Sequence, residues 1–173
     1  IDPDAAVAEA IRAPSSHNTQ PWLFERTGEG GLRLLADRTR GLPVNDPEDR
    51  ELTMSCAAAL FTLRAAAAGL GSGTRVSLLP DPEAPDVLAT VAFEGAPEPE
   101  LEALAPAIGA RRTHRGSFVE EAPAAEMLAA LRGAAEAEGA ALAVLDPAER
   151  EGLADLIAEG DAELWADPRD RKS

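Results

Sequence analysis

The sequence predicts an α+β fold in which a mostly antiparallel sheet packs against one long central helix. One observation is a central segment that repeats apolar residues at three-and-four spacing. Leu52, Cys56, Ala59, Leu60, Leu63, Ala67 and Leu70 follow the pattern of a buried helical face. A second is that short apolar runs before and after it are joined by glycine- or proline-rich turns, as hairpin strands are. The third is the order of elements, which lacks the regular alternation of a parallel βαβ sheet.

Each element has a local reason. Asp2 is placed to cap a first helix and Pro3 to open it, with Val7 and Ile11 on one face and an end near Ala13. Trp22-Leu23-Phe24 and Leu32-Arg33-Leu34-Leu35 flank Gly28-Glu29-Gly30-Gly31, a hairpin signal. Asp46-Pro47-Glu48 is expected to start the central helix, and Gly69 and Gly71 to stop it. Val76 to Leu79 and Val87 to Phe93 read as strands around a proline-rich connection, and Glu98 to Ile108 as a helix. A further helix is expected from about Pro123 to Ala137, with Met127, Leu128 and Leu131 inward. Ala141 to Leu145 reads as a short strand. Asp146 then caps and Pro147 opens a last helix, whose apolar side is Leu153, Leu156, Ile157 and Leu164.

The 173 residues carry a net charge of −15. Such a field repels nucleic acid and anionic membrane surfaces, so neither is expected as a partner. The most apolar stretch, Cys56 to Leu63, is interrupted by Arg64, and no membrane span is expected. A single cysteine excludes an internal disulfide and fits a reducing, cytoplasmic compartment. The chain opens at Ile1 without a methionine and closes after a charged cluster, so it is expected to be a piece of something longer.

The densest chemistry lies in Ala13-Pro14-Ser15-Ser16-His17-Asn18-Thr19-Gln20-Pro21-Trp22. Two prolines hold open a loop whose intervening side chains nearly all hydrogen-bond and carry no fixed charge. Folding alone does not require that pattern, whereas gripping a flat, polar-edged heterocycle does. Trp22 reads as an anchor at the start of a strand. The second cluster is Arg111-Arg112-Thr113-His114-Arg115, a local reversal of sign in an acidic chain. Guanidinium groups hold phosphate through paired, charge-assisted bonds. The alternative is that these arginines pair with carboxylates such as Glu120 and Glu121.

Other chemistries lack their residue sets. Neither His17 nor His114 has a cysteine or carboxylate at metal-ligand spacing, so no metal is expected. Ser15 and Ser16 lack the G-x-S-x-G elbow of a hydrolase nucleophile. Gly69-Leu70-Gly71-Ser72-Gly73 follows a helix and precedes a strand, the reverse of a phosphate-cradling loop. Cys56 lies on the apolar stripe and reads as core packing.

The first segment resembles the A-P-S-x-x-N-x-Q-P-W motif of the flavin-dependent nitroreductase superfamily. Arg111 to Phe118 is similar to the arginine-led motif with which nitroreductases hold the FMN phosphate and ribityl chain, with Thr113 where serine is usual. In ordinary members the arginine motif comes first; here it follows about ninety residues after the loop. That order resembles the Acg-like branch, in which two nitroreductase repeats are fused. The resemblance implies a first repeat over 1–105 and the start of a second, degenerate repeat over 106–173, in a truncated chain.

It also implies an FMN site held by Pro14, Ser15, Ser16, Asn18, Gln20, Arg111, Arg112, Thr113 and Arg115, with no side chain acting as catalytic acid or base. Gln20 would either fix the loop or reach the pyrimidine edge. The implied function is an NAD(P)H oxidoreductase reducing a small aromatic acceptor, a nitro-aromatic or quinone. It would work as a homodimer or an intrachain pseudo-dimer. A non-catalytic flavin-binding or flavin-sequestering protein is the alternative, and a cofactor-free interaction scaffold is a third reading.

Overall fold

A computed structural model describes residues 1–28 and 30–166. They form two compact units, one spanning 1–113 and the other beginning at His114.

The first unit holds the sheet and three helices. Helix α1 (Pro3–Ala10) starts as expected: Pro3 opens it, and the Asp2 carboxylate accepts from the Asp4 N–H at 3.1 Å. Its buried face is Pro3, Ala6 and Ala10, whereas Ile11 is half exposed. Small side chains face the core because α1 lies close against the alanine-rich central helix.

Strands β1 (Trp22–Arg26) and β2 (Leu32–Ala36) pair antiparallel from Trp22 opposite Ala36 to Arg26 opposite Leu32. The turn between them uses Gly30 at φ +77°, which suits a residue without Cβ. Strands β3 (Thr74–Leu78) and β4 (Val87–Phe93) form a second antiparallel pair, and β4 also pairs antiparallel with β2. The four-stranded order is β1-β2-β4-β3. Trp22, Leu32, Leu34, Ala36, Ala89 and Val91 are buried, following the two-residue alternation of a sheet with one face on the core.

Helix α2 (Arg50–Gly69) supplies the other side of that core through Leu52, Cys56, Ala59, Leu60, Leu63 and Ala66. The expected stripe is buried from Leu52 to Ala67, while Leu70, the C-cap residue, is half exposed. The helix begins later than Asp46. That residue is buried instead, and its carboxylate reaches forward to accept from the Leu52 N–H at 2.8 Å. Turns over residues 42–49 place Asp46 beside the first turn rather than within it.

Gly69 does more than stop the helix. A Cβ there would lie 2.5 Å from the Cβ of Ala105 in α3 (Pro99–Ala110), so its absence permits close helix packing. By length and composition α2 passes the same test as a membrane span, as the buried core helix of a folded domain also does. In this fold, 56% of its most apolar window is buried against protein.

The second unit contains α4 (Ala125–Ala137) and α5 (Pro147–Ala166). Asp146 and Glu149 form a reciprocal cap: Asp146 accepts from the Ala148 and Glu149 N–H groups, and the Glu149 carboxylate accepts from the Asp146 N–H at 2.8 Å. The expected strand from Ala141 to Leu145 does not form, and no strand lies among the unit's described residues to pair with it. None of those residues is buried. Met127, Leu131, Leu153, Leu156 and Ile157 are exposed, against the inward placement their spacing suggests, whereas Leu128 and Leu164 are partly buried.

Candidate functional site

The Ala13–Trp22 loop closes on itself and on α2. Ser16 to Asn18 form one short 3-10 turn, and His17, Asn18 and Gln20 take left-handed backbone angles, φ 49°, 58° and 50°. A cluster of left-handed residues without a glycine is strained and concentrates at functional sites. Side chains hold it. The Ser15 hydroxyl accepts from the Gln20 N–H at 3.0 Å, and the Thr19 hydroxyl donates to the Ser16 carbonyl at 2.9 Å. The Gln20 amide donates to the Asn18 side-chain oxygen at 3.3 Å, so in this structure Gln20 fixes the loop.

Helix α2 is the other half of the clamp. The Ser16 N–H donates to the Ser55 hydroxyl at 3.1 Å, and the Ser16 hydroxyl donates to the Glu51 carboxylate. Pro14, Ser15, Ser16, Glu51, Met54, Ser55 and Ala58 line an open cavity of about 460 Å³. A second cavity, about 330 Å³, is apolar through Phe61, Leu104 and Ile108 and includes Arg12 and Arg111 in its wall. Pro14 and Ala58 line both.

The structure thus brings Pro14, Ser15, Ser16 and Arg111 to one region of the first unit. The Arg111 guanidinium donates to the Arg12 carbonyl at 2.9 Å and to the Thr113 hydroxyl at 3.4 Å. Arg112 folds back on the end of α3, donating to the Gly109 carbonyl at 2.8 Å and the Arg111 carbonyl at 2.7 Å. Asn18 and Gln20 line neither cavity. Arg115 is exposed and belongs to the second unit, where the adjacent His114 ring meets Phe118 edge-on at 5.0 Å.

Sequence reasoning missed Arg12, Glu51, Ser55 and Ala58. Their signal was present but faint: Glu51, Ser55 and Ala58 are four and three residues apart, one row on a helix beside the apolar stripe. Cys56 lies on that apolar stripe. Its thiol is fully buried and contacts the Pro21 carbonyl at 3.2 Å, and burial pushes its pKa up to about 11. It is protonated and closed to solvent at neutral pH.

The donor set suits FMN. Hydroxyls of Ser15, Ser16 and Ser55 stand beside an apolar wall for a flat ring, and guanidinium groups stand within the same unit for a phosphate.

No protein-family model matches the chain. It is similar to Mycobacterium tuberculosis proteins named as nitroreductases. Over 110 residues it is 41% identical to "Putative NAD(P)H nitroreductase Rv3131", a match covering 63% of this chain and 32% of that protein. Over 118 residues it is 38% identical to "Putative NAD(P)H nitroreductase acg" of the same organism, covering 67% of this chain and 35% of that protein. A third relative there, "Uncharacterized protein Rv3127", is 39% identical over 93 residues, or 51% of this chain and 26% of that protein. The chain spans about a third of the length of the first two.

Proposed function

We propose that this chain is part of a nitroreductase-type oxidoreductase that binds FMN and passes electrons from NAD(P)H to a nitro-aromatic or quinone. The observation that carries the reading is the meeting of its two motifs. Pro14 of the polar loop and Arg111 of the basic cluster line one cavity, although 97 positions separate them (111 − 14). The similarity to relatives named NAD(P)H nitroreductases supports the same reading.

FMN, when bound, supplies hydride transfer, and the protein's work is binding, orientation and tuning. Ser15 and Ser16 present hydroxyls at the loop cavity, and Pro14 shapes its wall. Asn18 and Gln20 keep the loop in its left-handed form. Arg111 offers the cationic end, supported by Thr113, while Arg112 secures the end of α3 behind it. Arg115 is assigned a phosphate-binding role on its motif position alone. The repeats over 1–105 and 106–173, two-fold assembly as a homodimer or pseudo-dimer, and a cytoplasmic location belong to this same proposal.

The test is an FMN titration of the purified chain, followed by its visible spectrum and tryptophan fluorescence, and then NAD(P)H consumption with a nitro-aromatic or quinone. Saturable binding with turnover is expected. Binding without turnover selects the non-catalytic flavin-binding alternative, and absence of binding overturns the cofactor assignment. Arg111→Ala is expected to weaken FMN binding by about 1.5–3 kcal/mol, the scale of a hydrogen bond to a charged group. Unchanged affinity removes Arg111 from the phosphate site.

A further inference from the structure

Helix α2 carries a second row beside its buried stripe. Glu51, Ser55, Ala58, Thr62 and Ala65 follow one another at steps of four and three, so they share one face. Glu51, Ser55 and Ala58 wall the cavity of Ser15 and Ser16; Ala58, Thr62 and Ala65 wall the cavity of Arg12 and Arg111. With Pro14 and Ala58 common to both, the two cavities adjoin and together form the two halves of a groove along the helix. At 1.5 Å per residue it follows α2 for about 21 Å.

The groove is charged at its two halves and apolar between. The Glu51 carboxylate accepts from Ser16 and keeps further lone pairs. In the other half, among the described residues, the Arg12 guanidinium makes only long contacts, 3.8 Å to Glu9 and 3.5 Å to the Gly109 carbonyl. A guanidinium has five N–H donors, so Arg12 retains most of its capacity beside Arg111.

Building on the flavin reading above, we infer that this groove is polarised toward its ligand. Arg12 joins Arg111 in holding the anionic end, and Glu51 accepts from an N–H or O–H on the opposite edge. The ligand class is an elongated molecule with a flat apolar body, an anionic terminus and a donor-bearing edge.

FMN and riboflavin differ by the phosphate, so their affinities for the same variants separate the two ends. Arg12→Ala is expected to lower FMN affinity about tenfold or more while changing riboflavin affinity less than about twofold. Arg12→Lys, which keeps the charge, should retain part of the FMN preference. Glu51→Ala is expected to lower both affinities by a similar factor, about fivefold to tenfold, with partial rescue by Glu51→Gln, whose amide oxygen still accepts. Equal losses for both flavins in Arg12→Ala, no loss in either, or an FMN-only effect of Glu51→Ala overturns the inference. The same variants titrated with 1-naphthyl phosphate and 1-naphthol decide the polarity independently of flavin. If the unaltered chain binds neither flavin, the cofactor reading falls. If Arg12→Ala leaves the preference for naphthyl phosphate over naphthol intact, or no such preference exists, the polarity falls.

Discussion

Asn18 sits at φ 58° with its side-chain oxygen accepting from Gln20, so it has both a backbone and a side-chain role. Asparagine tolerates the left-handed region better than most residues, and glycine tolerates it best. Asn18→Ala is therefore expected to lower stability by about 1 kcal/mol through strain. Asn18→Gly relieves the strain yet still loses the amide. If the loop serves a flavin, thermal melts of Asn18→Gly stay near the original while its FMN affinity falls. A melt that falls as far in glycine as in alanine places the effect in the side-chain contact instead. Cys56 illustrates the opposite kind of residue, one whose chemistry is suppressed. Its thiol pKa rises from an ordinary 9.0 to about 11 through burial. The folded state therefore holds its proton longer than the unfolded state. The associated stability is full below pH 9 and is lost as pH rises toward 11, by roughly 2–3 kcal/mol if the whole shift is realised. The chain has no tyrosine and a single lysine, so little else titrates in that window. Urea unfolding between pH 8 and 11 should show this decline in the original protein and not in Cys56→Ala.

At the scale of elements, α2 explains why some positions were readable and others were not. Its apolar stripe from Leu52 to Ala67 follows helical periodicity alone, because burial of one face is a local pattern repeated every turn. Its start was not readable, since the Asp46 carboxylate caps Leu52 from six residues away, beyond the reach of ordinary capping rules. The role of Gly69 is likewise invisible in sequence, where a glycine at a helix end reads as a stop. Its neighbour Ala105 comes from another helix, 2.5 Å from where a Cβ would be. Gly69→Ala would gain about 1 kcal/mol in helix propensity, yet the clash is expected to make the net change destabilising by about 1–3 kcal/mol. The double variant Gly69→Ala with Ala105→Gly should recover much of that loss. Chemical denaturation of the single and double variants measures both, and a single variant more stable than the original discards the packing role.

Across the whole molecule, the two units differ in how they are held together. Residues 1–113 contain every buried residue of the described chain, from Pro3 and Ala6 to Leu101. The described residues of the second unit form two helices with no buried side chain. A fragment of residues 1–113 is therefore expected to unfold cooperatively on heating. A fragment of residues 114–173 is expected to melt without a sharp transition, because helices lacking a buried face draw little stability from propensity alone. A sharp calorimetric transition in the latter overturns that account.

The amino-acid pattern alone established the α+β class, both hairpin-like strand pairs, the apolar stripe of α2, and the caps at Asp2 and Asp146. All of these depend on neighbours within a few positions, where periodicity and capping operate. Only the tertiary structure decided that Pro14 and Arg111 line one cavity, that Glu51 and Ser55 clamp the loop, and that Gln20 turns inward to Asn18. It also decided that Ala141 to Leu145 stays irregular and that α4 and α5 leave most of their large apolar residues exposed. A strand needs a partner and an apolar face needs a cover, and both are supplied by residues distant in the chain, which no local pattern encodes.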